Sequence, residues 1–219
     1  MRPTAAISWS GGKDSCAAHH RARTEFDIVA AVTMFNEDGE RSRSHGLRPE
    51  IVAAQIERMG LQPFTQRCTW ATYDAAFDRA LADAALRGVT HVIFGDILFE
   101  EHRQWAMRLA AGQGLTAVEP LWGHSTIDLY RDFLALGGRA RIVTVRSSEL
   151  DESYLGRELD DHLLPELLAR GVDPCGERGE YHTVVIDCPA FSRPLRLRAC
   201  GRGGQSGCVA EDLVLENEV

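Results

Sequence analysis

Apolar residues recur along this chain in two alternating rhythms. Ala5-Ala6-Ile7, the stretch from Asp27 to Met34, and Val89 to Phe94 are runs of strand length with little polar interruption. Runs of this kind suit strands covered on both faces. Helical spacing fills the intervals. It extends from Lys13 to about Thr24, and from Leu47 to Met59, where Ile51, Val52, Ile56 and Met59 recur and Gly60 is a stop signal. It is clearest from Thr72 to Arg87, where Tyr73, Ala76, Phe77, Ala80, Leu81 and Ala84 form one apolar face and Gly88 follows the last turn. Phe99 to Ala111 is a further helix, ended by Gly112-Gln113-Gly114. Leu61 to Arg67 reads as a strand whose Pro63 assigns it to an edge or a strand start. Thr116 to Glu119 is a short strand. Strands alternating with helices imply a parallel sheet with right-handed crossovers.

The rhythm changes from about residue 123. Ser125 or Thr126 can cap a helix reaching Leu136, Gly137-Gly138 breaks it, and Arg139 to Val145 alternates like a half-exposed strand. Leu155 to Arg170 reads as partly helical, Gly171 to Thr183 as a loop, and Val184-Val185-Ile186 as a strand. Leu195 to Arg198 and Leu213 to Leu215 would form strands around a Gly-rich turn at 201–207. Arg41 to Gly46 is polar and without periodicity, the pattern of a mobile loop.

Composition narrows this picture only a little. The 219 residues are 44% apolar and 26% charged, an ordinary globular balance. No apolar run reaches the ~20 residues of a membrane helix, and no secretory leader is evident, so a cytoplasmic, non-membrane protein is expected. The six cysteines include no C-x-x-C pair and are expected as reduced thiols. A net charge of −8 disfavours nucleic-acid backbone as a partner.

Candidate chemistry begins at Ser8-Trp9-Ser10-Gly11-Gly12-Lys13-Asp14-Ser15, set between the first strand and the first helix. Two glycines permit positive φ and close backbone approach. Backbone N–H groups at a helix N-terminus, two hydroxyls and a lysine then make an anion site. The spacing is neither that of a Walker A loop nor of a dinucleotide fingerprint. Gly95-Asp96 ends the strand at 89–94, where Asp96 fits either a Mg²⁺ ligand or a helix cap. Met34 ends the second strand and fits either an adenine contact or the core. Glu100-Glu101-His102-Arg103 opens a helix, where the acids suit the dipole and Arg103 can face a substrate. The densest cluster is Asp173-Pro174-Cys175-Gly176-Glu177-Arg178-Gly179-Glu180-Tyr181-His182-Thr183. Such a loop can move protons, orient an amine or ligate Mg²⁺, and Cys175 with His182 also fits a nucleophile and its base.

The loop at 10–15 resembles the Ser-Gly-Gly-x-Asp-Ser pyrophosphate loop of ATP pyrophosphatases, which cut ATP between its α and β phosphates. Together with Phe94-Gly-Asp-Ile97, Pro120-Leu-Trp122, Gly156-Arg157 and Asp173-Pro-Cys-Gly-Glu-x-Gly-Glu-Tyr181, it makes the chain similar to the diphthine–ammonia ligase family. The resemblance implies an α/β fold: a Rossmann-like (HUP-type) parallel sheet flanked by helices, followed by a smaller α+β domain. Residues 1–122 would then bind ATP and 123–219 the substrate. It also implies an AMP- and pyrophosphate-forming amide ligase that uses ATP and Mg²⁺ on a carboxylate-bearing substrate and ammonia. On this reading Ser8, Ser10, Gly11, Gly12, Lys13, Asp14, Ser15, Met34, Gly95 and Asp96 bind ATP, with Asp14 and Asp96 near the metal. Arg103, Cys175, Gly176, Glu177, Gly179, Glu180, Tyr181 and His182 meet the substrate, and Lys13, Glu177, Glu180 and His182 are catalytic. Where the family reads Glu-Tyr-Glu-Thr, this chain reads Glu180-Tyr181-His182-Thr183, as its bacterial branch does. That exchanges a fixed negative charge for a group titrating near neutrality and leaves the acid substrate open. Two other readings of the same loop are an RNA-modifying (tRNA-thiolating) transferase and a non-catalytic ATP sensor. The nitrogen source and the oligomeric state, a homodimer included, are open.

Overall fold

β1 (Thr4–Ser8), β2 (Asp27–Phe35), β3 (Gln62–Arg67), β4 (His91–Ile93) and β5 (Thr116–Val118) form one parallel sheet in the order β3-β2-β1-β4-β5. The computed structural model describes residues 1–205 and 207–216. α1 (Lys13–Ala22) and α2 (Pro49–Arg58) cover one face of the sheet, α3 (Tyr73–Ala85) and α4 (Glu100–Gly112) the other. Alternate residues of a strand point to opposite faces. Ala5 and Ile7 accordingly join the core under α1 and α2, while Ala6, Ala30, Val32 and Met34 join the core under α3 and α4. β3 is an edge strand, which is why Pro63, lacking an N–H, is tolerated there. The winding direction reverses between β1 and β4, and the crevice beyond their carboxyl ends is the place where such sheets hold ligands.

The second sheet is antiparallel, in the order β7-β6-β9-β8, built from β6 (Arg139–Arg146), β7 (Tyr181–Asp187), β8 (Leu197–Gln205) and β9 (Cys208–Leu215). α5 (Thr126–Ala135) and α6 (Leu163–Ala169) pack with it. Ser125 caps α5 through its hydroxyl on the Asp128 N–H. One apolar cluster runs from α1 and α2 through Leu129, Tyr130 and Phe133 of α5 into Ile142, Val184 and Leu213. The two sheets therefore share a core, and the expected boundary at 122/123 falls between β5 and α5. Among the described residues, no helix is long and apolar enough to cross a membrane.

Three local expectations are corrected. Tyr181, His182 and Thr183 are the first residues of β7 and not loop, because cross-strand pairing with Val145, Thr144 and Ile142 outweighs the Gly-rich run before them. Gly201 to Gly204 lie within β8, paired to β9, and are strand, not turn; Ser206 lies outside the described residues. Arg41 to Gly46 is pinned by hydrogen bonds: Ser42 N–H to Leu47 O at 2.7 Å and Arg43 N–H to Met34 O at 2.8 Å.

Candidate functional site

The turn after β1 depends on two glycines for two different reasons. Gly11 adopts φ +85°, and a Cβ there would lie 2.6 Å from Leu47 Cδ1. Gly12 has an ordinary φ of −97°, but its Cβ would lie 2.5 Å from His45 Nε2. Only the first of the pair uses positive φ, then; the second uses lack of bulk. The fully buried Gln55 fixes the turn from α2: its amide NH₂ donates to Gly11 O at 3.0 Å and Val185 O at 2.8 Å, and its oxygen accepts from Trp9 Nε1 at 3.0 Å. Val185 N–H donates to Gly11 O at 2.9 Å, and Lys13 N–H to Thr183 Oγ1 at 3.1 Å. β7 is thus bonded directly to the loop at residues 8–15. Gly95 closes the third side; a Cβ on it would lie 3.1 Å from the Asp14 and Ser15 backbone.

These walls enclose a cavity of about 530 Å³. Of the expected site residues, Ser8, Ser10, Lys13, Asp14, Ser15, Gly95, Asp96, Cys175, Gly176, Glu177, Gly179, Tyr181 and His182 line it. Gly11 and Gly12 stand behind the lining, as backbone. Met34 is corrected to a core position: the strand alternation turns its side chain toward α3 and α4. Arg103 is also corrected. It is absent from the lining, its Nε lies 3.3 Å from Glu119 Oε2, and its guanidinium sits 5.0 Å over the Trp122 ring. Glu180 is turned away from the cavity; it accepts the Asp173 N–H at 3.2 Å and the Arg178 N–H at 3.0 Å. Sequence reasoning missed Ser44, His45, Trp70, Tyr73 and Trp105, and gave no role to Phe94, His102 and Thr183 within stretches it singled out; all of these line the cavity.

Among the described lining residues, Lys13 is the single lysine or arginine, facing Asp14, Asp96 and Glu177. It is 3% exposed and bonds both Asp14 oxygens at 2.9 Å and the Cys175 carbonyl. Burial alone would lower its pKa, but Asp14, Cys175 and Tyr181 together more than offset this and hold it above its ordinary value. Burial, then Asp14, raises Glu177 to about 8. Burial also raises Asp96, opposed by His102, whose Nδ1 is 3.4 Å away. Burial, then Lys13 and Arg146, lowers His182 to about 4, so its imidazole is neutral at pH 7 and does not titrate near neutrality as expected. His45, its ring 4.7 Å from that of His182, is pushed well down by burial and by His182. Burial raises the Cys175 thiol, which donates to Thr126 O at 3.4 Å. A thiol held protonated in this way is a poor nucleophile, which removes the ground for the Cys–His reading.

The Glu177 shift has a consequence for stability. The folded state keeps this proton up to about pH 8, whereas the unfolded chain loses it near 4.5. Stability therefore falls as pH rises through that window. Glu177→Gln is expected to raise Tm at pH 8.5 by roughly 3–8 °C, reflecting ~1–3 kcal/mol after allowance for partial exposure. The two melting curves should converge near pH 5. Equal melting temperatures at pH 8.5, read by calorimetry, would contradict the assignment.

The family model described as diphthamide synthase N-terminal domain matches residues 3–117, and the diphthamide synthase C-terminal domain model matches 125–205. A Mus musculus protein named diphthine–ammonia ligase is 32% identical over 89% of this chain and 82% of its own length. A Schizosaccharomyces pombe protein of the same name is 28% identical over 86% of this chain, which spans only 35% of that longer protein. A solved Methanocaldococcus jannaschii structure, called a predicted subunit of tRNA methyltransferase, overlaps 85% of this chain and 98% of its own at 13% identity. Its TM-score of 0.44 is too low to carry weight. With both family models matched in chain order and the mouse relative aligned across both sheets, the chain belongs to the diphthamide synthase family.

Proposed function

We propose that this protein is an ATP-dependent ligase that forms AMP and pyrophosphate, activating a carboxylate as its adenylate and passing the acyl group to ammonia. The observation that carries the reading is the convergence of residues 8–15 and 173–183 on one cavity, joined by the Lys13 side chain bridging Asp14 and the Cys175 carbonyl. The relatives' name, diphthine–ammonia ligase, supports the reaction class. In this reading residues 1–122 hold the nucleotide, and the part from 123 onward presents the acid and the nitrogen.

A substrate carboxylate oxygen attacks the α-phosphorus, the bond to the bridging oxygen of the β-phosphate breaks, and pyrophosphate leaves. Lys13 and the N–H groups at the start of α1 offset the charge that grows on it. Ser10 and Ser15, whose hydroxyls are 3.2 Å apart, supply further donors. Ammonia then attacks the acyl carbon and AMP departs. The nitrogen must lose a proton, and Glu177, facing the cavity with a pKa near 8, can accept it in its ionised form, whose share grows as pH rises toward 8. His45 and His182, both neutral, can hydrogen-bond the acyl group without adding charge.

Mg²⁺ fits the donors present. Asp14 and Asp96 both line the cavity and sense each other electrostatically. Magnesium takes one or two protein carboxylates and completes its shell with phosphate oxygens and water. A site of that kind needs no protein cage, and none with three or more His, Cys, Asp or Glu occurs among the described residues. Bound there, it would neutralise phosphate charge.

The test is incubation with ATP, ammonia and a panel of carboxylic acids. AMP, pyrophosphate and amide are expected in equal amounts, dependent on the acid. Release of ADP in their place would refute the reading.

A further inference from the structure

One wall of the cavity is aromatic and has no part in the chemistry above. Tyr73 opens α3, Trp105 lies on α4, Phe94 follows β4, and Trp70 precedes α3 in a short turn. Their rings form a chain: Trp70 to Tyr73 with centroids 5.6 Å apart, Tyr73 to Trp105 at 5.8 Å, and Trp105 to Phe94 at 6.2 Å. The wall is held from behind. Phe77, fully buried, meets Trp105 edge-on at 5.0 Å, and Trp105 Nε1 donates to Asp74 Oδ1 at 2.8 Å. At the rim, Trp70 is 68% exposed, with the Arg43 guanidinium 4.6 Å from its ring centroid. A single exposed tryptophan is unremarkable. This one continues a row of fixed rings along a cavity whose other end is charged.

The cavity therefore has two characters. Lys13, Ser10, Ser15 and the start of α1 suit phosphate, while Trp70, Tyr73 and Trp105 offer flat aromatic surface. A ligand with phosphates at one end and a planar heteroaromatic ring at the other matches both, and Met34, buried in the core, offers the ring nothing. We propose that Trp70 and Tyr73 stack the purine ring of the bound nucleotide, with the Arg43 guanidinium held against the Trp70 ring. This rests on the adenylylation reading and adds to it the residues that seat the base.

The test uses the full chain, α,β-methylene-ATP and inorganic tripolyphosphate, with both affinities measured by calorimetry. Stacking a base on an aromatic side chain contributes enough that its removal by alanine weakens binding roughly 5- to 150-fold. Trp70→Ala is expected to weaken the methylene-ATP by that factor and leave tripolyphosphate unchanged, and Trp70→Phe to recover most of the loss. Unchanged methylene-ATP affinity in Trp70→Ala would seat the base elsewhere and overturn the inference while leaving the adenylylation reading intact. Equal weakening of both ligands would overturn it too, by showing that Trp70 acts through the loop and not on the base. Failure of the unmodified protein to bind either ligand would sink the adenylylation reading and this inference with it.

Discussion

Lys13→Met is expected to lower the acid-dependent rate of pyrophosphate release by about 10²–10³-fold, the range seen when one preorganised donor to developing charge is removed. The reasoning starts from the charge inventory of the cavity. Asp14, Asp96 and Glu177 face it, and among the described lining residues Lys13 is the single lysine or arginine to balance them. Its ammonium is 3% exposed, so little solvent screens the loss. Without it the polyphosphate would enter a cavity lined by carboxyl groups, two of them already raised by burial and by Asp14. Lys13 lowers Glu177, so its removal pushes that carboxyl still higher. Methionine keeps most of the volume and limits the cavity left behind. It also drops the bond to the Cys175 carbonyl, so the variant's melting curve must be recorded beside its rate. A folded Lys13→Met protein within threefold of the unmodified rate would contradict the role assigned to this lysine.

Where the chemistry is local, it was legible in the sequence. The loop at 8–15 carries its glycines, hydroxyls and lysine within one turn, and the strand before it and the helix after it announce themselves by pattern. The parallel sheet was legible because strands covered on both faces are continuously apolar, and β3 because Pro63 betrays an edge. His45 was not. Its segment is polar and aperiodic, and only the fold brings its imidazole against Gly12 and beside His182. By spacing Tyr73 is one more residue on an apolar helix face, yet it lies at the first turn of α3, where that face opens onto the cavity. Met34 stood at the right strand end, but strand alternation turns its side chain into the core. In each case the residue type was visible and its direction was not.

Glu180 is the sharpest instance, and its replacement by alanine is expected to act through the fold. A carboxylate in a Gly-rich loop beside a tyrosine and a histidine looks catalytic in sequence. In the structure it is 4% exposed and accepts the backbone N–H groups of Asp173 and Arg178, drawing the two ends of the loop together. Its own carbonyl accepts Arg146 N–H at 2.8 Å, which anchors the segment to the end of β6. The loop so braced carries Glu177 into the cavity and delivers the Cys175 carbonyl to Lys13. Truncation leaves two backbone donors without their acceptor, at a cost of roughly 2–4 kcal/mol, which corresponds to a fall in Tm of roughly 5–15 °C for a chain of this size. Glu180→Gln should not rescue it, since the amide turns a donor toward one of the two N–H groups. A residue acting on the reactants would leave Tm in place, collapse kcat and remove a limb of the pH–rate profile. The expected signature of Glu180→Ala is the reverse: a large loss of Tm, and a residual activity whose pH profile keeps its shape because Glu177 is still present. An unchanged Tm with a thousandfold fall in kcat would return Glu180 to the reacting groups.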